Sequence, residues 1–347
     1  MNKSVEHGTR ARPSSPQSFQ KQNNKRTMQK LKLAACWIQA GALLWGAGAT
    51  HAQNYPNKIV RLVTAEAAGA ADFVARIIAH GLTPQLGQQV IVENRGGLRG
   101  GETAAKASAD GYTLLVYGSS IWLLPFMRDN VPWNPVKDFA PITHAVSAPS
   151  LVVINPSVPA KSIRELITLV KSQPGQLNYA SASAGSINHL ASELFKSMAG
   201  LDIVRIPYKG TGPALTALIA GDVQMTITSA GSVAAHLKSG KLKALAITSA
   251  TPSPLVPDLP TVAASGLPGY DVVSVFGVWA TMGTPKPIIA RLHNEIVRVL
   301  NTAEVKQKFL TGGVEVVAGT PEEFDKLIRR DMARFGKVIK DLGIRAE

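Results

Sequence analysis

Two stretches of small residues stand where chemistry is most easily done without large side chains. The first is Thr64-Ala65-Glu66-Ala67-Ala68-Gly69-Ala70-Ala71-Asp72 and the second is Ser181-Ala182-Ser183-Ala184-Gly185-Ser186. Each follows a Val/Ile/Leu/Ala-rich run and precedes a helical pattern. A loop without bulk lets a ligand reach the backbone N–H groups of a helix start, where unpaired donors and the helix dipole both favour an anion. Either loop alone is equally well read as a tight turn. Together they suggest a carboxylate clamped from two sides. Ser119 and Ser120 end one strand, and Thr228 and Ser229 end another, so their hydroxyls are candidate donors beside the loops. Asp72 has a second reading, since an acid in the first helical turn is good capping practice with or without a ligand.

Residue types that would support turnover do not assemble. His80, His144, His189, His236 and His293 show no paired helical spacing and have no cysteine nearby, so no metal site is expected. The G-x-S-x-G elbow of serine hydrolases is absent. Arg95-Gly96-Gly97-Leu98-Arg99-Gly100-Gly101 matches neither a dinucleotide fingerprint nor a P-loop and reads as a flexible loop. The chain is therefore expected to bind rather than catalyse, with no metal or cofactor.

The elements that must position these loops alternate. Strand-like runs at Lys58–Val63, Tyr112–Tyr117, Leu151–Ile154, Leu177–Ala180, Ile203–Ile206, Val223–Thr228 and Ala244–Thr248 are interleaved with helical patterns, an arrangement that argues for parallel βαβ units. Helices are expected at Asp72–Leu86, Ile187–Ala199, Ser232–Lys238, Lys286–Leu300 and Ala303–Leu310. Ser162 with Glu165, and Thr320-Pro321-Glu322-Glu323, mark two further helix starts as capping boxes. Phe139–Ile154 and Val272–Met282 are too long for ordinary strands in one small sheet and read as crossings between lobes. The expected division is residues 1–52 as a leader, 53–148 plus 274–347 as lobe 1, and 149–273 as lobe 2.

The N-terminus supplies the compartment. A short basic region, Met28 to Lys32, precedes an apolar run from Leu33 to Ala49, closed by Ala49-Thr50-His51-Ala52. This is the layout of a secretory signal peptide, with cleavage expected near Ala52. The apolar run is shorter than a bilayer span requires. Met1 to Thr27 is either an extension of the leader or lies upstream of a start at Met28. The single cysteine, Cys36, falls inside the leader, so the exported chain is expected to lack thiol chemistry. The leader carries eight Lys/Arg against one Asp/Glu, which is half of the formal +14. The remaining basic residues form no run of five or six, which argues against nucleic acid and weakly favours an anionic small ligand.

Several segments resemble a known family in order and spacing. They are Val92-Glu93-Asn94-Arg95, Ala109-Asp110-Gly111-Tyr112-Thr113-Leu114, Lys137-Asp138-Phe139-Ala140-Pro141, Pro174-Gly175-Gln176-Leu177-Asn178-Tyr179-Ala180-Ser181, Ile206-Pro207-Tyr208-Lys209-Gly210 and Gly319-Thr320-Pro321-Glu322-Glu323-Phe324. The family is the Bug receptors, the extracytoplasmic solute-binding components of tripartite tricarboxylate transporters, and the resemblance runs from Tyr55 to Ile344. It implies a two-lobe, type II periplasmic-binding-protein fold, each lobe a mainly parallel sheet flanked by helices with the ligand cleft between. It also implies a monomer that serves integral-membrane permease subunits. A periplasmic sensor signalling to a partner, or an enzyme on the same scaffold, are the alternatives.

By the same resemblance the carboxylate is held by Ala65, Ala68, Gly69, Ala70 and Asp72 of the first loop. From the other lobe it is held by Ser181, Ser183, Gly185, Ser186 and His189, with Ser119, Ser120, Thr228 and Ser229 lining the rest. Two departures bear on the ligand. The family's first loop usually carries a phenylalanine, prolines and paired glycines, where this chain has Ala65, Glu66, Ala67 and Ala68 before Gly69. An exposed Glu66 would repel a carboxylate unless it points away. Where the family often has an Asp-Asn pair, this chain has Thr228-Ser229, which disfavours an ammonium-bearing amino acid and favours an aromatic or aliphatic acid.

Overall fold

The computed structural model describes residues 55–182 and 184–346. The expected leader with Cys36, and Ser183, lie outside the described residues. From Pro56 onward the chain packs as a single unit, built on two sheets that share one strand.

In the first sheet, β1 (Val60–Thr64) lies between β2 (Val90–Asn94) and β3 (Thr113–Gly118), all parallel. Next to β3 runs β9 (Val273–Thr281), antiparallel to it and to β4 (Phe139–Ile154). The first half of β4, up to Pro149, belongs to this sheet. Its second half, Ser150 to Ile154, turns into the other sheet, where it pairs with β7 (Met225–Ser229) and β8 (Lys243–Ile247). β7 continues through parallel pairs to β5 (Asn178–Ser181) and β6 (Val204–Pro207). The short β10 (Glu315–Val316) borders β4 at Val146 and Ser147. Thus β4 crosses between sheets as its length suggests. β9 does not: all of its pairing is in the first sheet, and the return crossing comes just before it, where Val272 N–H donates to Thr248 O.

The helices are α1 (Ala70–Leu86), α2 (Arg99–Ala105), α3 (Ser120–Met127), α4 (Ile163–Ser172), α5 (Ile187–Ala199), α6 (Thr211–Ala220), α7 (Ala230–Lys238), α8 (Lys286–Leu300), α9 (Ala303–Thr311) and α10 (Pro321–Asp341). Local signals explain most of their ends. Ser162, Ser186 and Thr320 accept from the N–H three residues on, as N-caps do. Glu323 completes a reciprocal capping box on Thr320, whereas Glu165 reaches one residue further back, to the Lys161 N–H at 2.8 Å.

A second expectation is corrected. The glycine-rich stretch read as a flexible loop is half helix, because α2 begins at Arg99. Gly100 and Gly101 are there for closeness. A Cβ on Gly100 would meet the Tyr117 ring at 3.0 Å, and one on Gly101 would meet the Trp133 ring at 2.7 Å.

The core is densest where α10 lies on β4 and α3. Trp279 and Phe324 pack with their rings tilted by 44° and 4.8 Å between centroids, and Trp122 lies 5.9 Å from Trp279. Both tryptophans are buried, so they brace the fold and do not wall a ligand. Phe324 fits only because residue 277 has no side chain, since a Cβ there would lie 2.1 Å from Phe324 Cζ. Gly277→Ala is expected to destabilise the fold by about 2 kcal/mol through overpacking, read as a shift in the urea midpoint at constant m-value.

Candidate ligand-binding site

Both sheets reverse their winding. In the first, β1 is flanked by β2 and β3, so α1 and α2 fall on opposite faces and the chain opens a crevice at the carboxyl ends of β1 and β3. In the second, the same reversal separates β5 from β7, with α5 and α6 on opposite faces. Such reversal points are where open α/β sheets bind ligands. The strand-end and loop residues singled out from the sequence, Ser183 apart, fall at these two edges. Ala65 to Asp72, Ser119 and Ser120 stand at the first, and Ser181, Gly185, Ser186, His189, Thr228 and Ser229 at the second.

At the first edge the loop is held by its own helix. Ala68 sits at φ +62°, a left-handed conformation that costs a non-glycine residue about 1–2 kcal/mol. Asp72 offsets this. Its Oδ2 accepts from Ala68 N–H and from Arg76 Nε, both at 2.9 Å, and its Oδ1 accepts from Asn94 at 2.8 Å. Asn94 also donates to Ala65 O at 3.0 Å. Burial works against ionisation of Asp72, but the bonds from Arg76, Asn94 and Ala68 outweigh it and hold the carboxyl below the usual carboxylate range. Both of its oxygens are engaged, so Asp72 shapes the loop while the first-turn N–H groups of α1 lack intrahelical acceptors. Glu66 turns aside: its Oε1 accepts from Gly97 N–H at 2.9 Å. Ser119 accepts from Val275 N–H at 3.2 Å, and Ser120 is exposed.

At the second edge, Gly185 takes φ +73° and gives its N–H to His189 Nδ1 at 3.0 Å. That bond places the imidazole proton on Nε2, 3.8 Å from Glu193 Oε1. Burial, with the Arg205 charge adding to it, lowers the His189 pKa to about 4, so the ring is neutral at pH 7. Arg205 Nε donates to Ser181 Oγ at 2.7 Å. Ser229 Oγ pairs with Ser232 Oγ at 2.6 Å, and neither α6 nor α7 has a side-chain cap.

Two hydroxyls at these edges are buried and have no hydrogen-bond partner among the described residues: Thr64 at the end of β1 and Thr228 at the end of β7. Thr228 lines a cavity of about 10 Å³ with Asn188 and Thr211, about the room of one water. Thr64 and Asn188 were missed in the sequence as site candidates. Asn188 sits two residues past the Ser186 cap and accepts from Ser150 Oγ at 2.9 Å. Nothing in the sequence sets it apart from any first-turn residue. Thr64 is the counterpart of Thr228, and the symmetry of the two strand ends would have found it.

A sequence profile described as the tripartite tricarboxylate transporter family receptor matches residues 74–344. The chain belongs to this family. The receptor is 34% identical over 303 residues to the protein BugT of Bordetella pertussis, an alignment covering 86% of this chain and 93% of that one. Among solved structures it is similar to R. palustris Rpa4515 with adipate, at 33% identity and TM-score 0.67 over 84% of this chain and 99% of that one. It is similar also to MatC from Rhodopseudomonas palustris with bound malate, at 30% identity and TM-score 0.64 over 82% and 100%. The receptor is thus a periplasmic solute-binding protein with the α/β binding-protein fold, as its segments implied.

Two buried imidazoles are expected to make the receptor's stability fall in acid. His144, like His189, is held at about 4, chiefly by burial, with Arg330 adding to it against a hydrogen bond that the ring donates to the Val146 backbone. Both folded pKa values lie below the ordinary 6.5, so between about pH 6.5 and 4 the unfolded chain binds more protons. Stability is therefore expected to fall as pH falls through that window. His189→Gln should flatten the fall, as measured by urea unfolding at pH 7.0, 6.0 and 5.0. A slope unchanged in the variant would show that His189 does not titrate this way.

Proposed function

We propose that this receptor captures a small aliphatic or aromatic carboxylate between two lobes, residues 53–148 with 274–347 and residues 149–273, and presents it to membrane permease subunits unchanged. The observation that carries the reading is the pairing of two sheet-reversal edges, each offering first-turn N–H groups without intrahelical acceptors and one buried hydroxyl that has no hydrogen-bond partner among the described residues, Thr64 or Thr228. Donors in that number want an acceptor-rich anion. The loop around Ala65 to Ala70 and the residues Ser181, Gly185, Ser186 and Ser229 form the two jaws, and the continuous strand β4 is the hinge about which they close. The relatives bound to adipate and malate support an acid of that size. Glu66, tied to Gly97, leaves the first jaw free of its charge. Thr228-Ser229 gives an ammonium group no carboxylate to meet.

The test is a thermal-shift panel on residues 53–347 with adipate, malate, citrate, benzoate, amino acids and neutral metabolites. One or a few acids should raise the midpoint by several degrees, since a ligand that binds only the folded state stabilises it. Calorimetry should then give micromolar affinity and mass spectrometry an unaltered ligand. Light scattering should show a monomer. Selective stabilisation by a neutral metabolite, or a product peak, would overturn the reading.

A further inference from the structure

Behind the second jaw lies a pocket of about 350 Å³ that the carboxylate reading does not use. Four segments build it, one of them the loop of the second jaw through Ala184. α5 contributes His189, Glu193 and Lys196, β6 contributes Arg205, and the segment after α10 closes it with Arg345. The arrangement follows from the strands. Tyr179 on β5 pairs with Arg205 on β6, and Ser181 lies two residues on, so all three project to the face that α5 covers.

Among the described residues the charges lining this pocket lean positive, three cations against the one carboxylate of Glu193. Glu193, the acid among its lining residues, already accepts the Tyr179 phenol O–H. Arg345 has an exposed partner in Asp129 at 3.3 Å. Among the described residues Lys196 and Arg205 have no carboxylate within salt-bridge distance, although both are half-buried. Cations withdrawn from water without a counter-charge favour an anion in the adjoining space. Two of the lining residues also hold the ligand loop: Arg205 through Ser181 Oγ at 2.7 Å and His189 through the Gly185 N–H at 3.0 Å.

We propose that this pocket is a second anion site, taking a small dianionic oxyanion on Lys196, Arg205 and Arg345, and that its occupancy changes the order of the loop around Gly185. The site adjoins the second strand-end edge through Ala184 and His189 and differs from it in chemistry. It uses charged side chains, whereas the edges use backbone donors and hydroxyls. Coupling runs through Arg205, whose Nε holds Ser181 Oγ while the remaining guanidinium donors are left for an anion, so that one planar group is shared by the loop and the pocket.

The experiment uses inorganic phosphate as the probe on residues 53–347 in a phosphate-free buffer of fixed ionic strength, with no carboxylate present, so that its outcome is independent of which acid the jaws take. Calorimetry should show saturable binding of phosphate. Lys196→Gln should weaken it by about tenfold, the loss of one charge-assisted contact, and Arg345→Gln by less. Hydrogen–deuterium exchange across residues 182–190 should change on adding phosphate to the wild type and not to K196Q. Absence of saturable binding at millimolar phosphate would overturn the proposal. So would binding that K196Q and R345Q leave untouched while Gly185→Val removes it, because phosphate would then sit in the jaws.

Discussion

Gly185→Val is expected to abolish carboxylate binding, a loss of at least about a hundredfold, while the chain remains folded. Two effects combine at this residue. Its φ of +73° is left-handed, a conformation that disfavours any β-branched residue. A Cβ there would also lie 2.4 Å from the sulfur of Met127. Met127 is flexible and can yield in part, so the core survives. The loop cannot keep its path, however, and the Gly185 N–H must leave His189 Nδ1. The Ser186 cap and the first-turn donors of α5 move with it. Gly200→Ala is the control, since Gly200 has φ +61° with nothing within 4 Å of the added Cβ. It carries the backbone strain without the displacement. Calorimetry with the best acid from the panel should therefore show binding lost in G185V and kept in G200A, with both circular dichroism spectra native. Tight binding by G185V would remove this loop from the site.

How much of this was visible in the sequence depends on where each signal is stored. α5 and α8 have the bounds read from periodicity and caps, because an apolar stripe and a terminal Ser, Gly or Pro are local facts. The exchange of β4 between sheets was legible from its length alone. What could not be read is whatever is decided by a distant partner. Gly100 and Gly101 look like a loop until Tyr117 and Trp133 are set against them. β9 looks like a crossing until all nine of its residues are paired in one sheet. Asn188 gains its place from Ser150, 38 residues away in sequence. The direction of Glu66 was the open question of the altered first loop, and it is answered by a backbone N–H 31 residues on. Loop composition announced an anion site, while the side chains that pin those loops were scattered through the chain.

Asp72→Asn distinguishes a residue that shapes the jaw from one that touches the ligand. In the wild type both carboxylate oxygens accept, from Ala68 N–H, Arg76 and Asn94. The amide replaces one acceptor with a donor and sets it against another N–H. Arg76 is more than half exposed, so its ion pair contributes little by itself. Most of the cost comes from the buried bonds to Ala68 and Asn94, and a total of about 3 kcal/mol is expected. Without Asp72 the left-handed Ala68 has no compensation, so the loop should relax and ligand affinity should fall along with stability. The pH dependence supplies the check. The folded pKa of Asp72 lies below its ordinary 3.8, so its contribution is present at neutral pH and is lost as pH falls through the folded value. The stability gap between wild type and D72N should therefore be constant from pH 7 to about 5 and shrink below pH 4. A gap that persists unchanged at pH 3 would mean that the variant acts through packing. A loss of affinity with no loss of stability would place Asp72 against the ligand and require its side chain to turn inward on closure.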